Sequence, residues 1–526
     1  MKVKVWLIVW LIIVISALSV FGYWVYRIDP FFHYHKPELD SYFYYLNNQR
    51  SQNYGICKHF DYDALISGTS MTENFRTSEA DRIFKCNSIK VPSSGGSYKE
   101  INNIIKNALE ANKDLKTIIR CLDMEQFYDA YDLMRYDLGQ FPTYLYDNNP
   151  FNDVEYLLNR DIVFGRVYQM TLENDKEGFE PGITPFDNYS RWQPLYVFGI
   201  NTVCPSGITM TETEQTHLTE AEKTVIKKNI ELNVTSTADE YPNVNFYYYY
   251  SPYSVAAWNK WRNSGTLFKM LEAEEYITEL IVPHKNIHLF SFNNRTDITT
   301  NLNNYKDGVH YATWINSLIL KWMHDGLYQL TEDNYKDHLK QEYDFYTTFD
   351  YASVNGQEDY EADFYAAALL NQELTGIMPM DVLNDKKVDV AISGADYQYN
   401  DNHQPVVDCK GALARESEED LTSYLRDQEY IGIKFNVNLD EGYNYLAFNG
   451  QKIADHGRLT AYVYNSEGEP VGKAEANYPD LDNEVHQYVV DLSTVDGIVT
   501  VVLNGGYIDS TGSADSEYQF SNIYMY

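Results

Sequence analysis

Positive charge is what this chain most lacks. Its 526 residues carry 41 Lys and Arg against 76 Asp and Glu, a formal net charge of −35. Binding a phosphate backbone needs clustered Lys and Arg, so nucleic acid is excluded as a partner. The imbalance is strongest late, with 26 acidic and 9 basic residues from 381 to 526, and otherwise speaks for solubility. Cysteine is scarce too, five in all, at 57, 86, 121, 204 and 409. An odd, scattered set without a Cys-x-x-Cys pair excludes a disulfide scaffold and offers no zinc spacing. Cys57 and Cys86, ahead of the first two predicted strands, are either a bridge in an exported protein or two free thiols. His33 and His35 have no third ligand near them and read as interfacial packing residues. There is no internal repeat and no long low-complexity tract.

One long uncharged run is present. Val5–Val25 is 21 residues without a formal charge, and at about 1.5 Å per residue it matches a ~30 Å hydrocarbon layer. Lys2 and Lys4 precede it, and Arg27 and Asp29 follow. The positive-inside rule then leaves the N-terminus in the cytoplasm and the bulk of the chain outside, a single-pass cell-membrane protein. A cleaved signal peptide is the rival, but its apolar core is usually shorter and no clear cleavage site follows.

From residue 63 short apolar segments at 63–67, 88–92, 116–122, 244–250 and 286–292 read as strands. Amphipathic helices lie between them. Ser97–Ala111 aligns Ile101, Ile104, Ile105 and Leu109, Phe151–Leu172 is similarly periodic, and Thr219-Glu220-Ala221-Glu222 starts a helix running to Leu232. This alternation predicts an α/β domain over 55–350, with a parallel sheet covered on both faces and ligands beyond the carboxyl ends of its strands. Residues 1–27 are the cytoplasmic tip and anchor, and 28–54 a juxtamembrane segment. A proline-rich insertion at about 175–215 is expected as a lid or substrate wall, with Trp192 and Tyr196 able to line it. A helical, acidic connector is expected over 351–380. Residues 381–526, with strand-like segments at 430–437, 459–464, 486–491 and 498–503, predict an all-β, jelly-roll-like sandwich. Tryptophan is absent beyond Trp322, so a sugar platform there would have to use tyrosines such as Tyr443, Tyr445 or Tyr507; a spacer role is the alternative.

Ile66-Ser67-Gly68-Thr69-Ser70-Met71 ends the first strand in a turn able to present the Ser70 hydroxyl to a cleft. Asp307-Gly308-Val309-His310 follows the last strand, with the carboxylate close enough to orient the imidazole. Ser70 as nucleophile, His310 as base and Asp307 as its partner make an activated hydroxyl. The Ser70 N–H, with Gly96 or Gly95 from Ser93-Ser94-Gly95-Gly96-Ser97, would stabilise an oxyanion. Thr69, Met71, Asp123 and Tyr253 are candidates to line the site. His284, His288 and Tyr247–Tyr250 read as structural.

Gly68-Thr69-Ser70, the Gly95-Gly96 turn and Asp307-Gly308-Val309-His310 resemble the first, second and last sequence blocks of the SGNH (GDSL-type) hydrolases. The likeness covers roughly residues 55 to 328. It is nearest to membrane-anchored, extracytoplasmic SGNH-like proteins of Gram-positive bacteria, a group that includes the teichoic-acid D-alanyl transfer proteins. The resemblance implies a flavodoxin-like three-layer fold, the roles given above for Ser70, His310 and Asp307, Gly96 in preference to Gly95 in the oxyanion hole, and no metal or organic cofactor. It further implies a serine esterase or O-acyltransferase acting on acetyl or D-alanyl groups of a cell-surface polysaccharide or teichoic-type polymer. A transferase would need acyl groups delivered by a multi-spanning acyl-transport partner. One departure stands out. The family's third block carries a Gly-x-Asn whose amide completes the oxyanion hole, and here Arg120-Cys121-Leu122-Asp123-Met124 has no Asn. Another donor compensates, the acyl chemistry differs, or the protein is a non-catalytic module that binds or organises envelope glycans.

Overall fold

The computed structural model describes residues 2–526 except 148, 175, 177–178, 193–197, 358–379, 384–387, 400–404, 416–419, 455, 457, 477–482, 484, 493 and 514. Tyr196 and most of the expected 351–380 connector lie outside the described residues. Residues 1–193 and 201–356 form one compact unit, and 357–526 belong to a second.

The uncharged run forms the helix α1 (Lys2–Ile28), which is long and apolar enough to cross a membrane. Its side chains are exposed almost without break up to Val20; from there on Phe21, Trp24, Val25 and Ile28 are covered while Tyr23 and Tyr26 stay exposed. The expected juxtamembrane segment 28–54 belongs to the first compact unit. The Asp29 carboxylate collects the N–H groups of His33, Tyr34 and His35 and the Tyr156 hydroxyl. His33, read as interfacial, is buried and sits 3.2 Å from Asp153.

Next come α2 (Gln49–His59), β1 (Ala64–Gly68), α3 (Thr77–Phe84), β2 (Ser88–Pro92), α4 (Tyr98–Ala111), β3 (Thr117–Cys121) and α5 (Glu220–Ile230). They are followed by β4 (Asn245–Tyr250), α6 (Val255–Ser264), α7 (Leu267–Ile281), β5 (Ile287–Ser291), α8 (Thr313–Asp325), β6 (Gln329–Leu330) and α9 (Tyr335–Thr348). The strands make one sheet in the order β2-β1-β3-β4-β5-β6, all parallel except the edge strand β6. β1 and β2 are buried along their whole length, the pattern of strands covered on both faces. α2 packs on α4 and α3 on α8. Ser97 and Glu100 form a capping box at the start of α4, and Ile101, Ile104, Ile105 and Leu109 are buried as their spacing predicts.

Two helix predictions are corrected. α5 starts at the predicted capping box but passes at Glu231–Thr235 into a π turn and runs on as Ser236–Glu240. The expected helix over 151–172 is broken into Val154–Leu157, Arg160–Ile162, a π turn at Val163–Val167 and Tyr168–Asn174. Its partner is α1, not the sheet. The Cys57–Cys86 bridge is not formed: all five cysteines are free. Cys57 is buried in α2, where burial pushes its thiol up to about 12, and the Cys86 sulfur lies 3.6 Å from Asp81 Oδ1.

The second unit largely alternates buried and more exposed residues along Gly432–Asn438 and Glu517–Met525, and buries Leu459–Tyr464 throughout. Its strands are β7 (Ala391–Ser393), β8 (Ala395–Tyr399), β9 (Pro405–Lys410), β10 (Gly432–Asn438), β11 (Tyr445–Lys452), β12 (Leu459–Tyr464), β13 (Pro470–Ala476), β14 (Val485–Asp491), β15 (Ile498–Asn504) and β16 (Glu517–Met525). They pair antiparallel in the orders β7-β10-β15-β12-β13 and β8-β9-β16-β11-β14, with Met380–Asp381 added to β16. Ile433, Phe435 and Leu503 of the first sheet share one core with Val407, Phe448 and Phe520 of the second. Among the described residues a short α-helix, Leu421–Asp427, accompanies them. Tyr445 is buried and stacked on Tyr526, and Tyr443 packs against the core, so neither is an exposed sugar platform.

A buried acidic pair fastens α9 to the first sheet. Glu274 of α7 and Glu342 of α9 both reach Ser291 Oγ, at 3.3 and 2.6 Å. Asn293 Nδ2 lies 3.2 Å from Glu274, and His338 Nε2 lies 3.1 Å from Glu342. Burial raises both carboxyls, and the Glu342 charge raises Glu274 further. A folded-state pKa above the unfolded one means that folding takes up a proton. The stabilisation is therefore complete below the unfolded carboxyl range, about 4.3, and lost as pH rises through the folded values. Glu342→Gln keeps the shape without the charge. It is expected to raise the melting temperature over wild type at pH 8 far more than at pH 5; an equal change at both pH values would refute proton uptake by the pair on folding.

Candidate active site

β1 delivers Ser70. Its last residue, Gly68, has φ +149°, and a Cβ there would lie 2.7 Å from Thr72 Cγ2 and 3.2 Å from Cys121, so only glycine fits the close approach. The chain then turns into a short 3-10 segment, Ser70–Thr72, capped by Thr69, whose Oγ1 lies 3.4 Å from Met71 N. Behind the turn, Lys90 of β2 points its ammonium at the carbonyls of Glu73 (2.5 Å) and Phe75 (2.7 Å). Burial pulls that lysine down to about 7.

His310 reaches the same place from the loop after β5. The Asp307 carboxylate accepts from the N–H groups of Val309 and His310, both at 2.9 Å, and from His310 Nδ1 at 2.8 Å. With the Nδ1 proton directed at Asp307, the lone pair of Nε2 is left to accept, and Ser70 Oγ lies 2.7 Å from it. Burial pushes the Asp307 carboxyl upward, but the hydrogen bonds and charge of His310 with the two N–H groups outweigh it and hold it at about 2. Trp192, from the insertion, meets the His310 ring edge-on at 5.8 Å, and Lys306 lies over the Trp192 ring at 4.2 Å.

The loop after β4, Ser251-Pro252-Tyr253-Ser254, ties these pieces together. Gly308 O accepts from Ser254 N (3.2 Å) and Oγ (2.7 Å), Tyr305 donates to Pro252 O (2.7 Å), and Tyr311 lies 3.3 Å from Ser251 Oγ. Tyr253 donates to Asp123 Oδ1, while Thr69 Oγ1 donates to Asp123 Oδ2 at 2.8 Å and Glu125 N to Oδ1 at 3.2 Å.

Of the expected residues, Ser70, His310 and Asp307 are thus in one hydrogen-bonded chain, and Thr69, Asp123 and Tyr253 in a second directly behind it. The latter three do not line an open cleft, because all three are buried. Met71 is also a core residue, with its carbonyl held by Asn316 Nδ2 at 3.2 Å. Gly96 is corrected as an oxyanion donor: its N–H closes the turn onto Ser93 O at 2.8 Å. The N–H groups of Ser70 and Gly95 have no partner among the described residues. Sequence reasoning missed Glu73, buried one turn after Ser70. Burial raises its carboxyl, and a 2.5 Å bond from Gln49 with the charges of His310, Lys90 and Lys306 oppose this. The i, i+3 spacing from Ser70 was the one available signal. Among the described residues no group of three or more His, Cys, Asp or Glu is placed to hold a metal.

No known protein family and no curated protein matches the chain. Among solved structures, a candidate platelet activating factor from Streptococcus pneumonia aligns over 55% of this chain and 91% of its own, at 10% identity and a TM-score of 0.27. A CBM4 structure covers 29% of this chain and 95% of its own at 14% identity and 0.18. A point mutant of a family 29 carbohydrate binding module covers 27% and 81% at 15% identity and 0.17. Scores this low assign neither unit to the fold of these proteins.

Because Thr69 and Tyr253 donate to one buried carboxylate, their removal should couple. Tyr253→Phe and Thr69→Val are each expected to cost about 1.5–3 kcal/mol in denaturant unfolding. The double variant should cost clearly less than the sum, since both hydroxyls serve the same carboxylate and groups in one hydrogen-bond network couple. Strict additivity would show that the two hydroxyls act separately.

Proposed function

We propose that this chain is a membrane-anchored, extracytoplasmic serine esterase or O-acyltransferase of the SGNH type. Its substrates would be acetyl- or D-alanyl-type acyl groups on a cell-surface polysaccharide or teichoic-type polymer. The observation that carries this reading is the contact chain Asp307–His310–Ser70, with 2.8 and 2.7 Å between successive heavy atoms. The strand order β2-β1-β3-β4-β5 supports it, being the flavodoxin-like order in which ligands bind where the order reverses, beside β1. α1 supports the anchor.

Ser70 Oγ attacks the acyl carbon as its proton passes to His310 Nε2, and the imidazolium then protonates the departing alkoxide oxygen. Asp307 holds the ring in the tautomer this requires. The acyl-enzyme is resolved by water in an esterase or by a sugar hydroxyl in a transferase, with His310 taking the incoming proton and returning it to Ser70. A transferase depends on activated acyl groups from a multi-spanning transport partner. Asp123 donates nothing to an oxyanion and the Gly96 N–H is engaged, so the Ser70 and Gly95 N–H groups are left for that role. This favours, as a second reading, a non-catalytic surface protein that organises glycans, since one missing donor alone costs about 10²–10³ in rate.

Fluorophosphonate labelling of the detergent-solubilised chain separates the two. Wild type should label and hydrolyse p-nitrophenyl acetate, while Ser70→Ala and His310→Ala should fall by about 10⁶ and Asp307→Ala by about 10⁴. A folded wild type that neither labels nor turns over ester would end the enzymatic reading.

A further inference from the structure

Beyond the site, residues 151–172 present an apolar surface that the sheet does not use. Phe164, Tyr168 and Leu172 follow one another at four-residue steps and are 51%, 41% and 42% exposed; Val154 is 51% and Phe151 89% exposed. The same segment lies against the end of α1. Phe164 meets Phe21 edge-on at 5.8 Å, Tyr168 meets Trp24 at 6.2 Å, and a methyl group at Gly22 would touch Leu157 and Leu158 at 3.8 Å.

The position along α1 identifies what covers this surface. A ~30 Å hydrocarbon layer beginning at Val5 ends near Val25 at about 1.5 Å per residue. Phe21 then lies roughly 6 Å inside its outer boundary and Trp24 at the boundary. Phe164 and Tyr168, touching these two rings, share their depth. Beyond them the chain turns polar at once, with Arg27 paired to Glu38 and Lys36 to Asp61. Aromatic side chains at that level belong to the interface, where an apolar body and a polar edge are both satisfied. The contact is not electrostatic, because 151–174 carries four acidic and two basic residues.

We infer that residues 151–172 form a collar beside α1 that sits in the outer interfacial layer of the bilayer, with lipid acyl chains against Phe164, Tyr168 and Leu172. The inference rests on reading α1 as a retained anchor. It makes the junction a two-point attachment, so that the first unit cannot swivel freely on a single helix.

The test uses the full chain with Cys86→Ser and Cys204→Ser, the remaining cysteines being buried. A nitrobenzoxadiazole label is placed at Val9→Cys, Phe164→Cys, Tyr168→Cys or Val225→Cys, an exposed position on α5. Each variant is reconstituted in phosphatidylcholine vesicles carrying a nitroxide high or low on the acyl chain. Labels at 164 and 168 should be quenched several-fold more by the shallow nitroxide than the label at 225, and the label at 9 by the deep one. Quenching at 9 with none above the 225 level at 164 and 168 overturns the collar but keeps the anchor, and leaves that face to another protein's helix. Absence of quenching at 9 removes the anchor reading and the collar with it.

Discussion

The meeting of Ser70 and His310 across 240 positions depends on hydrogen bonds that neither residue makes. Both follow strands of a parallel sheet and so emerge at one edge, but an edge alone does not bring an imidazole within 2.7 Å of a hydroxyl. The loop after β4 does this. It receives Tyr305 on Pro252 O, puts two Ser254 donors on Gly308 O and sets Ser251 beside Tyr311, all with buried side chains. Such a bond adds only about 0.5–1.5 kcal/mol net, yet leaving a buried partner unmade costs about 1–3 kcal/mol. The loop positions are therefore held less by attraction than by the penalty for any other arrangement. Asp307 takes up the remaining freedom by binding its own turn before it binds the ring.

The same reasoning accounts for Asp123. A carboxylate there gains three donors, from Thr69, Tyr253 and Glu125, and stiffens the turn that carries Ser70. Under the proposed mechanism, what it supplies to the turn it would withhold from an oxyanion. Two buried carboxyl groups lie close to Ser70 along the chain or through its neighbour, Glu73 one turn after it and Asp123 bonded to Thr69. Each is offset locally, Asp123 by its donors and Glu73 by Gln49 and the charges of His310, Lys90 and Lys306. The electrostatic character of the site is thus set by groups at short range and not by the net charge of the chain.

Much of this is legible in the sequence, and the misses have physical causes. Five strands of the first unit lie within a residue of their predicted ends, because a strand covered on both faces over most of its length must be a short, largely apolar run. β6, only two residues long, is too short to show a period. The 151–172 stretch has helical periodicity, but periodicity reports that one face is apolar and not what covers it; here the partner is α1. A Gly-Gly turn announces backbone freedom without saying which N–H the turn consumes, and Gly96, the donor that the family resemblance prefers, is the one already bonded. Trp192, expected near the site from its insertion, does meet His310. Met71 and Tyr253 are in the expected neighbourhood but on the other side of the wall, since adjacency in sequence to Ser70 or to a strand end does not determine which way a side chain turns.

The junction with α1 constrains what the proposed site can act on. Asp29 gathers three backbone N–H groups and the Tyr156 hydroxyl, Phe31 stacks on Tyr156, and the Tyr44 hydroxyl donates to Ile28 O at 2.8 Å. A helix end bonded in this way continues into the body of the unit with no flexible linker. If α1 crosses the bilayer, the Ser70 hydroxyl is then held at a set height and angle over the membrane instead of sweeping a volume on a tether. A small diffusible ester would gain nothing from that restriction. A polymer rooted in or near the same membrane would, because its acylated positions pass a fixed point repeatedly, and the entropy of positioning is then borne by the chain's architecture before the substrate arrives.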